Sequence, residues 1–356
     1  MDSTKIKLFT DFNIAKNNIE NLSFILTSIL FNDNKNNPCS QSNFGFELVH
    51  EPDNADFFIL PINWEWLKAL NLLEKSKFLI NLANEKNKKI IVFYYDDDDK
   101  DIGLENSIVF RTSLNKSKQR TANSINFAMP SWREDIKVIN FKDNYFLSKK
   151  EEKPKIGFRG CSQPIDALEI FKKKLKNNIN RVSYKISKKC LLHEKWYYDG
   201  YKFRADALKI LKNNDKINSD ITITSMFGDK KLTMSQNKKM FIDNIINNNY
   251  VLCTRGGGNY SYRFYETIIC GRIPVFINTD CVLPYDFCID WKKYVVWVEE
   301  NEINKIDKIL LDFHNSISDE EFLNLQLNIR KLYEEYISPS GFINNIHNHF
   351  EYLELR

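Results

Sequence analysis

The sequence predicts an α/β chain built from two open, mostly parallel sheets in tandem. Three observations predict it. The chain has 356 residues, a length that suits two domains at about 150 residues each. Short, continuously apolar runs alternate with amphipathic stretches of helical period, as expected of parallel strands covered on both faces. A charged run near residue 150 interrupts the alternation, which then begins again.

Taken in order, residues 5–10 read as a strand and 14–30 as a helix with apolar residues at three- and four-residue spacing. Two short apolar runs follow, at 46–49 and 57–62, then a helix pattern over 64–82 and a strong strand at 89–95. Residues 107–111 add a further candidate strand. Residues 148–154 are charged and end in Pro154, which reads as a solvated linker and sets the expected boundary between domains 1–150 and 151–335. Beyond it, 155–158 is a strand running into Arg159-Gly160, 201–212 a helix, 221–224 a strand and 236–247 a helix. Strand 250–253, helix 261–270 and strand 273–277 complete the second unit. Residues 164–199 fit this rhythm poorly and form a candidate insertion. The tail, 303–350, is largely helical, and 336–356 is expected to pack back on the first domain.

Composition narrows the function. Hydrophobic residues make up 43% and charged residues 28%, too apolar a mixture for a disordered chain. Fifty-one Lys and Arg against 47 Asp and Glu leave a net charge of +4, without the basic excess of a dedicated nucleic-acid binder. No apolar stretch approaches the roughly 18 residues of a membrane span. The first 13 residues lack the basic-then-apolar pattern of a signal peptide. The seven cysteines (39, 161, 190, 253, 270, 281 and 288) are odd in number, scattered and without a Cys-x-x-Cys pair. A protein of the reducing cytoplasm is the expectation, with peripheral membrane association left open.

Residues 250–291 carry the chemistry. A buried strand ends in Thr254-Arg255-Gly256-Gly257-Gly258, where glycines permit close approach of a ligand and unusual backbone conformations. The helix that begins near Ser261 turns its unpaired N–H groups and positive dipole end toward this loop, which suits a diphosphate. Arg263 and Glu266, three apart, share a helix face. The arginine suits two-pronged pairing with phosphate oxygens, and the glutamate suits the two hydroxyls of a ribose. A flexible loop and an intrahelical ion pair are the alternatives at this level.

The ordered set Arg255-Gly256, Ser261-x-Arg263-x-x-Glu266, Gly271-x-Ile273-Pro274-Val275, Leu283-Pro284-Tyr285 and Asp290-Trp291 resembles the donor-binding half of the exostosin-like glycosyltransferase family. The likeness is strong over residues 235–315 and moderate over 154–235, where Lys155-Ile-Gly-Phe-Arg-Gly160 and the helix opening at Arg204 match. In the first half it is limited to residues 55–61 and the strand before Asp96. The triple glycine, and Tyr285 where phenylalanine is common, depart from the pattern. The resemblance implies a GT-B architecture, in which two Rossmann-like domains face a central cleft and the C-terminal one holds the nucleotide sugar. It also implies an inverting transfer, usually from a UDP-sugar, to a hydroxyl of a glycan in polysaccharide, lipopolysaccharide or glycoprotein-glycan synthesis. Glu266 would then hold the ribose, Ser261 and Arg263 would lie near the diphosphate, and Arg255 with Gly256, Gly257 and Gly258 would face the same ligand. Arg159 and Arg204 would add positive charge. No metal or other cofactor is expected. A GDP-sugar enzyme of the fucosyltransferase kind, and a non-catalytic glycan- or nucleotide-binding module, are the alternatives.

An inverting enzyme also needs a general base near the acceptor hydroxyl. Carboxylates at the expected ends of the first domain's strands are candidates: Asp11, Glu65, and Asp96 or Asp97, with Asp96 and Glu65 ranked first and solvated loop acids or helix caps as the alternative. The run Asp96–Asp99 also suits a hard cation, against which a solvated, self-repelling turn is favoured. Trp64, Trp66, Trp132, Trp196, Tyr197 and Tyr198 are candidate sugar-stacking surfaces, with core packing as the alternative. The mixed segment 195–204 is expected to border the cleft. His347 and His349 are expected at the surface.

Overall fold

A computed structural model describes residues 5–30, 45–132, 147–162, 194–225 and 228–355, with the backbone alone over 194–199. Strands β1 (Ile6–Phe9), β2 (Phe46–Leu48), β3 (Phe57–Ile59), β4 (Ile90–Tyr94), β5 (Ser107–Arg111) and β6 (Ser124–Ala128) form one sheet in the order β2-β1-β3-β4-β5-β6. Strands β7 (Lys155–Cys161), β8 (Asn218–Thr224), β9 (Tyr250–Cys253), β10 (Ile273–Asn278) and β11 (Val296–Glu299) form a second, in the order β11-β10-β9-β7-β8. Every pairing between these strands is parallel. Both sheets start in the middle, add the second strand on one side and continue on the other. Each therefore has a switch point, between β1 and β3 and between β7 and β9, where open α/β sheets bind ligands. Two such sheets followed by a helical C-terminal region make the fold GT-B in type.

The central strands β4, β5, β9 and β10 are buried along their whole length, as their uninterrupted apolar runs anticipate. Strands β6 and β11 were not legible in the sequence. Ser124 and Asn126 interrupt the first, and the second is only four residues long.

Two expected helices are each broken in two. The stretch 14–30 becomes the helices Phe12–Asn17 and Phe24–Leu30, because Leu22 bridges Ile62 and Ser23 N–H donates to the Pro61 carbonyl at 2.9 Å. Residues 64–82 become Trp64–Ala69 and Leu73–Glu85, separated at Asn71, whose φ of 54° is the left-handed turn that ends a helix. Asp11 caps the first of these four helices, its carboxylate accepting from Asn13 and Ile14 N–H. It serves as a helix cap.

The segment 148–154 is not a free linker. Ser148 and Gln326 exchange hydrogen bonds, Lys150 Nζ donates to the Ile317 carbonyl at 2.8 Å, and the His314 ring meets the Glu151 carbonyl. Its side chains are largely exposed while its backbone is tied to the C-terminal helices. The final helices, Pro339–Asn345 and His347–Glu354, return to the first sheet, where the Phe350 ring lies 4.7 Å from that of Phe57. His349, expected at the surface, is fully buried among Phe110, Phe127 and Tyr285. Burial in that ring cluster pushes its pKa down to about 3, so it is neutral.

Candidate functional site

The carboxyl ends of β7 and β9 open into a cavity of about 730 Å³ at the second sheet's switch point. Strand β7 delivers Phe158, Arg159 and Gly160 to it. The loop after β9 delivers Gly256 and Gly257, and the helix Tyr262–Ile269 delivers Arg263 and Glu266. Ser261 is the residue before that helix. Its hydroxyl makes no capping bond to the helix, and it lines the cavity. Gly271, with φ of 63°, closes the helix as expected.

The arginines play different parts. The Arg263 guanidinium carbon sits over the Phe158 ring, 4.0 Å from its centroid, and Nη2 donates to the Arg159 carbonyl at 2.8 Å. This packing requires Gly160, because a Cβ there would meet Arg263 Nη2 at 2.6 Å. Arg204, expected as a diphosphate charge, spends its guanidinium on the scaffold. Nε donates to Thr254 Oγ1 at 3.1 Å, Nη1 to the Cys161 carbonyl, and Nη2 to the Arg255 carbonyl at 3.0 Å. It clamps the ends of β7 and β9 together at the edge of the cavity. Arg255 is buried and turns back on its own loop, Nη2 donating to the Gly257 carbonyl at 3.3 Å. Among the described residues lining the cavity, the cations are Arg159, Arg204, Lys238 and Arg263, and the carboxylates are Asp97 and Glu266. Glu266 is only 4% exposed. Lys238, on the helix Met234–Ile246, had no distinguishing sequence signal.

Of the triple glycine, Gly258 is needed for space, not for an unusual dihedral. The described glycines with positive φ are Gly103, Gly228 and Gly271. A Cβ on Gly258 would instead fall 2.8 Å from Asp97 Cα and 3.0 Å from the Asp97 carbonyl oxygen, so the first sheet's β4 turn rests directly on the glycine loop. The helix Glu194–Asn213 approaches from the other side, where a Cβ on Gly200 would lie 2.7 Å from the Gly256 carbonyl. That helix carries the segment 195–204, and its Tyr201 lines the cavity. Buried Asn259 ties the loop to the first domain: its N–H donates to Ser113 Oγ at 2.9 Å, and its side chain bonds to Asn115 and Thr279. Nothing in the sequence singled out this asparagine among so many.

Of the carboxylates named for the first domain, the structure brings Asp97 to the cavity. Asp96 accepts from Asp97 N–H at 2.6 Å and from Tyr94 Oη at 3.4 Å. Glu65 accepts from Tyr95 N–H at 3.1 Å, and burial raises its pKa to about 7. The Asp96–Asp99 run is not a solvated turn. It is half-buried and folds around Arg111, whose guanidinium donates to the carbonyls of Asp98 at 2.6 Å and Lys100 at 3.0 Å. No metal-holding cluster of His, Cys, Asp and Glu occurs among the described residues. Trp64 is core, while Trp66 is 43% exposed. The half-buried Trp132 donates to the Ile337 carbonyl at 2.7 Å. The side chains of Trp196, Tyr197 and Tyr198 lie outside the described residues.

Fold and cavity together define a two-sheet α/β protein with a pocket at the switch point of its second sheet, its described lining carrying four cationic side chains and two carboxylates. Comparison with known proteins identifies its kin. The exostosin GT47 domain model matches residues 174–313. A "Probable glucuronosyltransferase 47 A" of Physcomitrium patens is 42% identical over 77 residues, which are 22% of this chain and 16% of that protein. "Exostosin-1" of Drosophila melanogaster is 32% identical over 90 residues, 25% of this chain and 11% of that one. A "Probable glucuronosyltransferase" of Oryza sativa subsp. japonica is 41% identical over 61 residues, 17% of this chain and 14% of its own length. The match thus spans about a sixth or less of each of these relatives. Over residues 174–313 the chain is similar to the exostosin-like glycosyltransferases.

Proposed function

We propose that this chain transfers a glycosyl group, with inversion, from a nucleoside diphosphate sugar to a hydroxyl of a glycan acceptor, and that the donor is a UDP-sugar. The observation that carries this reading is the cavity's arrangement: Arg159 and Arg263 beside the amino end of the helix Tyr262–Ile269, with buried Glu266 one turn further along it. When the bond from the anomeric carbon to the diphosphate breaks, negative charge grows on the phosphate oxygens. Fixed N–H groups and guanidinium ions aimed there lower the barrier. Arg263 is already held over the Phe158 ring and pinned to the Arg159 carbonyl, so little reorganisation accompanies that charge. In this reading, Glu266 accepts hydrogen bonds from the ribose hydroxyls. The side chains supply the positive charge in this mechanism, and the reading includes independence from divalent metal.

The test is a panel of nucleotides and donors that includes UDP-glucuronic acid, the sugar class suggested by the names of the relatives. UDP at about 100 times its dissociation constant should stabilise the protein by about 2.7 kcal/mol by mass action. One UDP-sugar should release UDP in the presence of EDTA, and Glu266→Ala should abolish both effects. Protection by GDP instead would select a fucosyltransferase-like donor. Glycan binding with no turnover of any donor would select a binding module.

A further inference from the structure

The donor side of the cavity comes from the second sheet. Asp97, from the turn that follows β4, is the carboxylate that the first sheet contributes to the cavity's described lining. Its neighbours are turned elsewhere: Asp96 toward Tyr94 and Glu65 toward the Tyr95 amide. We infer that Asp97 is the general base that takes the acceptor's proton, and that Tyr260 orients it. This rests on the glycosyl-transfer reading above and specifies one residue of it.

Three features place Asp97 for this work. The Tyr260 ring and the Asp97 backbone both lie against Gly258, where a Cβ would fall 2.7 Å from Tyr260 Cε1 and 2.8 Å from Asp97 Cα; the nearby carboxylate helps to raise the Tyr260 pKa, and Tyr260 also meets Tyr262 at the cavity wall. Gly258 has no Cβ to hold the Asp97 backbone away, so the turn sits against the donor-side loop. The turn is fixed on its far side as well: Arg111 holds the Asp98 and Lys100 carbonyls, and Asn115 Nδ2 donates to Asp99 Oδ2 at 2.6 Å. A base held in one position from both sides avoids the reorganisation that a mobile loop acid would need. In the step itself, an oxygen of Asp97 accepts the proton of the acceptor hydroxyl as the hydroxyl oxygen bonds to the anomeric carbon. The bond from that carbon to the diphosphate breaks, and its electron pair leaves on the phosphate oxygen. Asp97 reaches the cavity from the first sheet and the cations from the second.

The experiment measures UDP release from the best UDP-sugar of the panel, together with thermal protection by UDP. Asp97→Asn should keep the UDP protection of the wild type and lose turnover by at least about 100-fold, the range of a lost general base. Asp98→Asn, on the same turn, should turn over like the wild type. Azide is already an anion and needs no base. Sodium azide should therefore restore UDP release to Asp97→Ala and yield a glycosyl azide of inverted configuration. Tyr260→Phe should slow turnover with UDP protection unchanged. Turnover by Asp97→Asn within about threefold of the wild type would overturn the assignment, as would azide rescue of Glu65→Ala or Asp96→Ala in its place. Lost turnover in Asp97→Ala without azide rescue would overturn it in favour of a purely positioning role. A wild type that neither binds nor turns over any nucleotide would instead remove the transfer reading itself.

Discussion

Replacing Gly258 by alanine should force the two domains apart at one point. The added Cβ would sit 2.7 Å from Tyr260 Cε1, 2.8 Å from Asp97 Cα and 3.0 Å from the Asp97 carbonyl oxygen. Carbon atoms in comfortable contact lie about 3.5–4.0 Å apart, so relief needs a displacement of about 0.5–1 Å. The Tyr260 ring can rotate away. The Asp97 backbone cannot, because Arg111 and Asn115 tie the turn that carries it. Overpacking of this kind costs about 1–3 kcal/mol, which at about 2–4 °C per kcal/mol for a domain of this size is a fall in melting temperature of about 2–12 °C. Gly256→Ala is the internal control. A Cβ there meets nothing within 4 Å, and neither glycine has a positive φ. Its stability should stay within about 0.5 kcal/mol of the wild type, while the new methyl group, directed into open space beside the cavity, weakens nucleotide protection. Differential scanning fluorimetry of the three proteins, with and without UDP, reads both effects. Equal melting temperatures for Gly258→Ala and the wild type would refute the close approach of Asp97 to this loop.

Arg204→Ala should remove the clamp on the ends of β7 and β9 and leave buried carbonyls unpaired, at a cost of about 2–4 kcal/mol in urea denaturation. A variant of wild-type stability that had lost only nucleotide affinity would make Arg204 a phosphate ligand and not a clamp. Burial raises the Glu65 carboxyl to about 7 from its ordinary 4.5, so the folded protein holds that proton where the unfolded chain has released it. Its contribution to stability is therefore present at low pH and is lost as pH rises from about 4.5 through 7. Glu65→Gln should flatten that part of the stability curve, and an unchanged slope would show that the carboxyl is solvated.

Much of the donor side was legible because it is local. The strands at Tyr250–Cys253 and Ile273–Asn278 are short apolar runs, and the loop, the helix start at Ser261 and the stop at Gly271 follow in order along one stretch of chain. Arg263 and Glu266 share a face because three residues make nearly a helical turn. Spacing does not say what a side chain meets when it gets there. Arg204 carries the same charge whether it holds phosphate or carbonyl oxygens, and the carbonyls that claim it belong to residues 43 and 51 positions away. The breaks in the helices at 14–30 and 64–82 were likewise hidden, since a bridge between Leu22 and Ile62 overrides a favourable local period.

By itself the sequence determined the two-sheet α/β plan, the order of its central strands along the chain and the segment that forms the cavity's glycine-loop wall, because strand and helix periods are properties of neighbouring residues. Only the tertiary structure decided which of four successive aspartates faces that cavity, that Asn259 joins the loop to Ser113 across 146 residues, and that His349 is buried between aromatic rings. These depend on surfaces brought together from distant parts of the chain, where burial and hydrogen-bond geometry select one partner among residues that are chemically alike in the sequence.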